Sequence, residues 1–450
     1  MDTMRYTGIQ NWQVLQQIDG FAGVTITGEI DGWLKNPVLE AEISCAAAFY
    51  GVRLQIAEED TGRALTPWVE AKAENGVWSC EITGIPVGGL YCVRQQLVFY
   101  SEEKGFSNWA FANVVKHIGV GDVYLIAGQS NAVGWAKGLM YDPVQLGVSM
   151  FEQGSGWELA CQPMGGRGSA FFTFGKQLNT RLGYPIGLIP RAIGGAPITD
   201  WMDGGCHMER LKKEEIGRIK GVLWYQGCTE ANDGGECDYA GMFENVVEQF
   251  RKKFEDDTLP VITFQLNRLR SFDASGVHDA GYDRIREIQR TMPKRIPNVY
   301  VLPTIDLTTM SDSIHNSMAS NRYLGERAAW FAMDVIYGRD KIYEVPDIER
   351  IEQIGGKTLK LIFQGITSTL DAFGVAPWEL SVCAEDAVGV NPIVGYRIEG
   401  NRLLVECERA LEGEVFVKAQ YGSNPKNVII DAESQIPILC FSNVKSEKNV

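Results

Sequence analysis

The sequence predicts an α/β protein in three parts: a three-layer α/β/α domain with a mainly parallel sheet, flanked by N-terminal and C-terminal β-sandwich-like domains. Three observations predict it. Residues from about 20 to 117 show short alternating apolar runs separated by turns, with no strong helix pattern. From about 118 to 340, apolar strand-like runs alternate with helical stretches, the pattern of a parallel sheet covered by helices. From about 341 the short alternating runs return. The domains are therefore placed at 1–117, 118–340 and 341–450, and 450 residues agree with about three domains at ~150 residues each.

In the first domain, residues 24–30, 52–57 and 89–100 read as strands of an antiparallel sandwich. In the second, residues 123–127 form an apolar run that reads as a buried strand. Gly128 then allows a sharp turn and leaves Ser130 at the exit of the strand. Residues 173–183 read as a helix ending at glycine, and 185–190 as a strand before the turn Gly194-Gly195. Residues 220–225 are another buried strand, ending at Gln226 and Gly227. In 239–254, Met242, Phe243, Val246, Val247 and Phe250 recur with a helical period. Residues 259–266 and 299–303 are further strands, and 322–332 a further helix. In the third domain, 358–363 and 395–406 alternate as strands do. Neither an internal repeat nor a low-complexity tract interrupts the chain.

Composition narrows the function. A net charge of −15 argues against nucleic-acid and anionic-membrane partners, which want basic patches. It also mildly repels acidic substrates, unless Arg191, Arg268 and Arg270, whose default reading is surface or structural, make the site locally basic. No stretch approaches the ~20 apolar residues of a membrane span. The N-terminal residues show no apolar signal-peptide core, so a cytoplasmic location is expected, though a mature secreted form would look the same. Ten cysteines are scattered, several inside strand-like runs such as 404–407 and 438–441, as reduced buried thiols would be. Cys206, His207, Cys228 and Cys237 raise a metal reading, but their spacing matches no standard zinc pattern. A disulfide between Cys228 and Cys237, bracketing the glycine-rich loop 232–235, is the alternative for that pair.

A serine at a strand exit is a candidate nucleophile, set at the carboxyl edge of a sheet where open α/β folds bind ligands. It is not the Gly-x-Ser-x-Gly elbow, because Ala132 stands at the second glycine position. Such a nucleophile needs a base, and there are four histidines: His117, His207, His278 and His315. Asp312 stands three residues before His315, close enough for its carboxylate to fold back and fix the imidazole tautomer. The bland reading is a surface loop with an accidental Asp–His pair. Backbone N–H groups at Gly194-Gly195 and the side-chain amide of Gln226 are candidate donors to a developing oxyanion. An ordinary turn and a strand-end residue bonding its own backbone are the competing readings. Among the neighbouring aromatics Trp135, Trp201, Trp224 and Tyr225, Trp224 reads as core and Trp201 as a pocket wall on which a sugar ring stacks.

Taken in order, Gly-Gln-Ser-Asn at 128–131, Gly-Gly-x-x-Ile-x-x-Trp at 194–201, Trp-Tyr-Gln-Gly at 224–227 and Asp-x-x-His at 312–315 form a set. This set resembles the sialate O-acetylesterase-like branch of the SGNH hydrolase superfamily, carbohydrate esterases with a flavodoxin-like fold. The resemblance covers about 118–340. It implies Ser130 as nucleophile, His315 as base and Asp312 as its partner. It also implies the N–H groups of Ser130 and Gly195 (or Gly194), with Gln226, as oxyanion donors. Asn131, Trp201 and Glu230 would contact substrate. The implied reaction is two-step acyl transfer that removes an O-acetyl group from sialic acid or another acetylated sugar, with neither cofactor nor metal. The family's usual acid after Gln-Gly is replaced here by Cys228, Glu230 falls two places later, and Ala132 stands where Met is common. Two other functions remain: an esterase or thioesterase acting on a non-sugar acyl group, and a non-catalytic carbohydrate-binding protein.

Overall fold

A computed structural model describes residues 6–29, 48–74, 77–102, 105–137, 142–162, 168–270, 274–339 and 344–448. The strand that leads to Ser130 is far longer than its apolar run implies: Gly105–Gly128 is one strand of 24 residues. Its first part pairs antiparallel with Gly88–Ser101. Its last part lies parallel to Val14–Gln16, Ile186–Pro190 and Gly221–Tyr225. His117 sits between the two parts at φ 61 and stacks on Trp12, ring centroids 4.0 Å apart. A boundary at 117/118 thus falls inside a continuous strand shared by an antiparallel and a parallel sheet region.

The central sheet has the order Gly156–Leu159, Val148–Glu152, Ile186–Pro190, Gly105–Gly128, Gly221–Tyr225, Val261–Phe264, Val299–Leu302. All neighbours are parallel except the first pair, an antiparallel hairpin. Gly221–Tyr225 and Val261–Phe264 are buried at every residue, which is why they are unbroken apolar runs rather than alternating ones. From the Ser130 strand the chain runs to one edge and returns, then crosses to build the other half. Ser130 therefore lies at the carboxyl end of the strand where the winding reverses, the place at which open parallel sheets form a crevice.

Among the described residues, four longer helices accompany this sheet. Ala170–Leu182 starts at Ser169, whose hydroxyl accepts the Phe171 N–H, and stops at left-handed Gly183. It packs against Met318–Val335. Tyr239–Phe254 has the bounds its apolar period predicts and turns Phe243 and Phe250 onto Trp224. Beside it lies Val277–Arg295, a helix absent from the expected elements. Among the described residues none of these helices is long and apolar enough to cross a membrane.

Among the described residues, three separate clusters of buried apolar side chains form cores. One runs from Ile9 to Val120, one is centred on the parallel sheet, and one runs from Ile348 to Phe441. In the last, residues 395–406 are not one strand but a hairpin, Ile393–Glu399 paired with Arg402–Cys407 across Gly400 and Asn401. The nine described cysteines are free thiols, so Cys228 and Cys237 are not bridged; Cys45 lies outside the described residues.

Candidate active site

Gly128 closes the strand at φ 118, where side chains are strained, and a Cβ there would overlap the Tyr225 backbone. Two residues later the one-turn helix Ser130–Val133 begins. Ser130 is its first residue, so its N–H has no partner inside the helix. The Ser130 side chain is nearly buried, at 9% exposure.

Asn131 links this turn to the histidine loop. Its Oδ1 accepts the Asn316 N–H at 3.1 Å and its Nδ2 donates to the Ile314 carbonyl at 3.3 Å. The side chain next to Ser130 thus holds both peptide neighbours of His315. The half-buried Trp135 stacks on the His315 ring, centroids 5.8 Å apart and planes 20° apart. A Cβ on Gly194 would lie 3.2 Å from the Trp135 indole nitrogen, so the glycine turn closes on the same ring. Three of the four motifs meet here.

Asp312 is held by three donors. His315 Nδ1 lies 2.8 Å from its Oδ2, and the N–H groups of His315 and Ile314 reach Oδ1 at 3.1 and 3.3 Å. Partial burial pushes the carboxyl up, but these hydrogen bonds outweigh it and hold its pKa below the ordinary carboxylate value. A carboxylate accepts, so Nδ1 carries the hydrogen and the basic lone pair sits on Nε2, the tautomer a general base needs.

The loop is braced from behind. Asn267 Nδ2 donates to Asn316 Oδ1 at 2.6 Å, and the Arg270 N–H donates to the Ser313 carbonyl at 3.1 Å. The Arg270 guanidinium also donates to the Met310 carbonyl. Arg268 is bonded to the Ile305 and Pro425 carbonyls, and Arg191 to the Pro190 carbonyl while its guanidinium lies over Phe151. Each of these three arginines is bonded to backbone carbonyls, the structural role that is its default reading, rather than a source of local basicity at the site. Buried Arg286 joins Leu266 and Asn267 to Gly422 and Ser423, so a C-terminal loop backs the segment that supports His315.

Two expected roles meet a different environment. The Gln226 side chain is fully buried; its amide nitrogen donates to Glu230 Oε2 at 2.6 Å and to the Ala196 carbonyl at 3.3 Å, and its oxygen accepts from Tyr239 OH at 2.9 Å. With both hydrogens taken, the amide has none left for an oxyanion. Trp201 is likewise fully buried, edge-on to Trp224 at 5.5 Å and packed on Phe250, so it cannot wall a pocket; Trp135 occupies the position beside His315 instead.

Glu230, expected at the substrate, is buried and bonds inward. Its Oε1 accepts the Ile198 N–H at 2.6 Å, which ties the second motif to the third. Burial raises its pKa. Cys228 is buried too, and burial pushes its thiol up to about 11. Gln129, given no role by the sequence, accepts the N–H groups of Gly227 and Cys228 at 3.0 Å and so ties the first motif to the third. Its place in the Gly-Gln-Ser-Asn run, as a polar residue between an apolar strand and a candidate nucleophile, is the signal for it.

Gln226→Ala is accordingly expected to lower stability by about 2 kcal/mol, because it removes the donor to the buried Glu230 Oε2 and one of the two acceptors of the Tyr239 hydroxyl, whose bond to the Gln226 carbonyl stays. The value of kcat per folded molecule should stay within a few-fold of wild type. Thermal melting and active-site titration on one sample separate the two effects. A loss of kcat on the order of 10²–10³ without a stability loss would restore the oxyanion role.

Residues 120–334 match the model of a family described as carbohydrate esterase, sialic acid-specific acetylesterase. The human sialate O-acetylesterase is 28% identical over 228 residues, covering 41% of this chain and 42% of that protein. A probable carbohydrate esterase of Arabidopsis thaliana is 32% identical over 148 residues, covering 31% and 52%. The chain thus spans about half the length of these curated relatives or less. A carbohydrate acetylesterase from Xanthomonas citri superposes with a TM-score of 0.69 at 23% identity, over 98% of this chain and 100% of that one, and so shares the mixed α/β fold.

Proposed function

We propose that the protein, whose residues 120–334 match the carbohydrate esterase, sialic acid-specific acetylesterase family model, is a serine esterase removing O-acetyl groups from a carbohydrate. In this reading 118–340 is a three-layer SGNH hydrolase domain, between β-sandwich-like domains at 1–117 and 341–450. The observation that carries the proposal is the Asn131 bridge, which binds the peptides on both sides of His315 from the residue beside Ser130.

The chemistry follows from that arrangement. His315 Nε2 takes the Ser130 proton as Oγ attacks the acetyl carbonyl. The carbonyl electron pair moves onto oxygen, where the N–H groups of Ser130 and Gly195 stabilise it. As the tetrahedral adduct collapses, the sugar hydroxyl leaves with the proton from His315. Water, deprotonated by the same histidine, then attacks the acetyl-serine; the bond from Ser130 Oγ to the acyl carbon breaks, Oγ takes the proton from His315, and acetate departs. Asp312 keeps the imidazole in the working tautomer and stabilises the imidazolium in both steps. The stack of Trp135 on His315 orients the ring without consuming a nitrogen.

The test is acetate release from a panel of acetylated glycans, O-acetylated sialic acids among them, beside p-nitrophenyl esters of increasing acyl length. Acetylated sugars should be turned over best, and short acyl chains should outrun long ones. Preference for long acyl chains, or sugar binding with no turnover, would overturn the proposal.

A further inference from the structure

A second cluster of reactive side chains lies outside the Ser130 site, in the turn after Trp201. The short helical turn Ile198–Trp201 is joined to the helical turn Cys206–Glu209 by a reversal through Gly204 and Gly205. Gly205 sits against the Asp200 carbonyl so closely that any side chain would overlap it. Its N–H donates to the Met202 carbonyl at 2.9 Å. This tight closure brings the side chain of residue 200 to those of 206 and 207.

Cys206 is exposed, and its Sγ lies 3.5 Å from His207 Nδ1. His207 Nε2 lies 3.5 Å from Asp200 Oδ2, an ion-pair distance. His207 itself is buried, with its ring edge-on to Trp201 at 5.3 Å, so its orientation is fixed. One tautomer serves both contacts: Nδ1 accepts the thiol hydrogen and Nε2–H faces the carboxylate. Polar atoms of the three side chains lie within 4.8 Å of one another, the closeness a metal site also needs. The two closest contacts use opposite ring nitrogens, however. A single ion would take one nitrogen and forfeit the other contact, whereas a proton relay uses both.

We propose that Asp200, His207 and Cys206 form a carboxylate–imidazole–thiol relay that makes Cys206 a site of thiol–disulfide exchange with low-molecular-weight disulfides. His207 takes the thiol proton, and the thiolate attacks one sulfur of the disulfide. A new S–S bond forms to Cys206 and the old S–S bond breaks. Its electron pair goes to the leaving thiolate, which takes the proton from His207. Cys206 is oxidised and the released half reduced. Burial and two groups set the charge on His207: burial and Arg210 favour the neutral imidazole, which is the base, while Asp200 favours the imidazolium that forms. The buried Cys228, whose thiol is held up to about 11, is the opposite case.

Cys161 and Cys237 are also exposed and serve as internal references. The experiment incubates the purified protein with oxidised glutathione at pH 7 and follows each cysteine by peptide mass spectrometry. Cys206 should react at least about tenfold faster than Cys161 and Cys237, as an imidazole-activated thiol does. His207→Gln and Asp200→Asn should each slow Cys206 and leave Cys161 unchanged; the second, at a partly exposed position, keeps the test informative if the first unfolds. Equal rates at the three cysteines, or a Cys206 rate unmoved by either variant, would overturn the relay. So would a stoichiometric Zn²⁺ complex that requires all three side chains. The readout is independent of ester hydrolysis and stands whether or not the Ser130 site is an esterase.

Discussion

Ser130→Ala is expected to leave a folded protein whose ester turnover is lower by about four orders of magnitude or more, as for loss of a catalytic nucleophile in other acyl-transfer enzymes. Both chemical steps pass through that oxygen, so no neighbouring group replaces it. The fold should hardly notice. Ser130 is the first residue of a one-turn helix, alanine suits that position, and Gly128, Gln129 and Asn131, which make the turn and its cross-links, are untouched. The check is kcat on p-nitrophenyl acetate and on an acetylated sugar, with the melting temperature measured on the same preparation. A fluorophosphonate probe should label wild type at Ser130 and fail to label the variant. Substantial turnover by a well-folded Ser130→Ala protein, or an adduct on another residue, removes Ser130 from the mechanism.

What the sequence disclosed depended on how local the cause was. Strands buried on both faces, such as Gly221–Tyr225, are unbroken apolar runs and were plain. The helix Tyr239–Phe254 carries an apolar stripe at one period and matches its expected bounds. In Val277–Arg295, Tyr282, Ile285, Gln289 and Met292 recur on one buried face, but two further buried positions are arginines, which hide the apolar period. Arg286 is buried by satisfying carbonyls from two regions of the chain, which no local pattern records. The hairpin at 393–407 read as one strand because Gly400 and Asn401 interrupt the alternation for only two residues.

The site divides in the same way. Asp312 and His315 are three residues apart, so their contact is a local matter and was legible. The environments of Gln226, Glu230 and Trp201 are set by Tyr239, Ile198 and Trp224, partners that only the folded sheet brings near. Polar and aromatic residues beside a candidate nucleophile invite a functional role, yet these three hold the motif-bearing loops to one another. Trp135 and Asn131, which do touch the histidine loop, share the segment of the nucleophile, and their reach to residues 314–316 is tertiary.

Asp312→Asn should lower kcat by about four orders of magnitude, because it reverses the imidazole tautomer. The asparagine oxygen can still accept the N–H groups of His315 and Ile314, as Asp312 Oδ1 does now. That leaves the amide NH₂ facing His315 Nδ1, which must then give up its hydrogen and accept. The hydrogen moves to Nε2, where the base has to be empty. Stability should change little at this half-exposed carboxyl. The sign is fixed by its lowered pKa: the folded state gains stability from Asp312 above the ordinary carboxylate range, and loses that gain as pH falls through the depressed value. The variant should therefore trail wild type slightly at neutral pH and converge with it in acid.

Asp306 supplies the control. Both of its oxygens bind the buried Arg327 guanidinium, at 2.9 and 2.5 Å, and Arg327 also donates to the Pro303 carbonyl. Asp306→Asn leaves that charge uncompensated, so it should cost about 3–5 kcal/mol of stability with kcat per folded molecule near wild type. Active-site titration with melting curves for both variants distinguishes the two aspartates. A catalytic collapse in Asp306→Asn with a harmless Asp312→Asn would transfer the acid role to residue 306 and leave the 2.8 Å contact of Asp312 with His315 a feature of the loop alone.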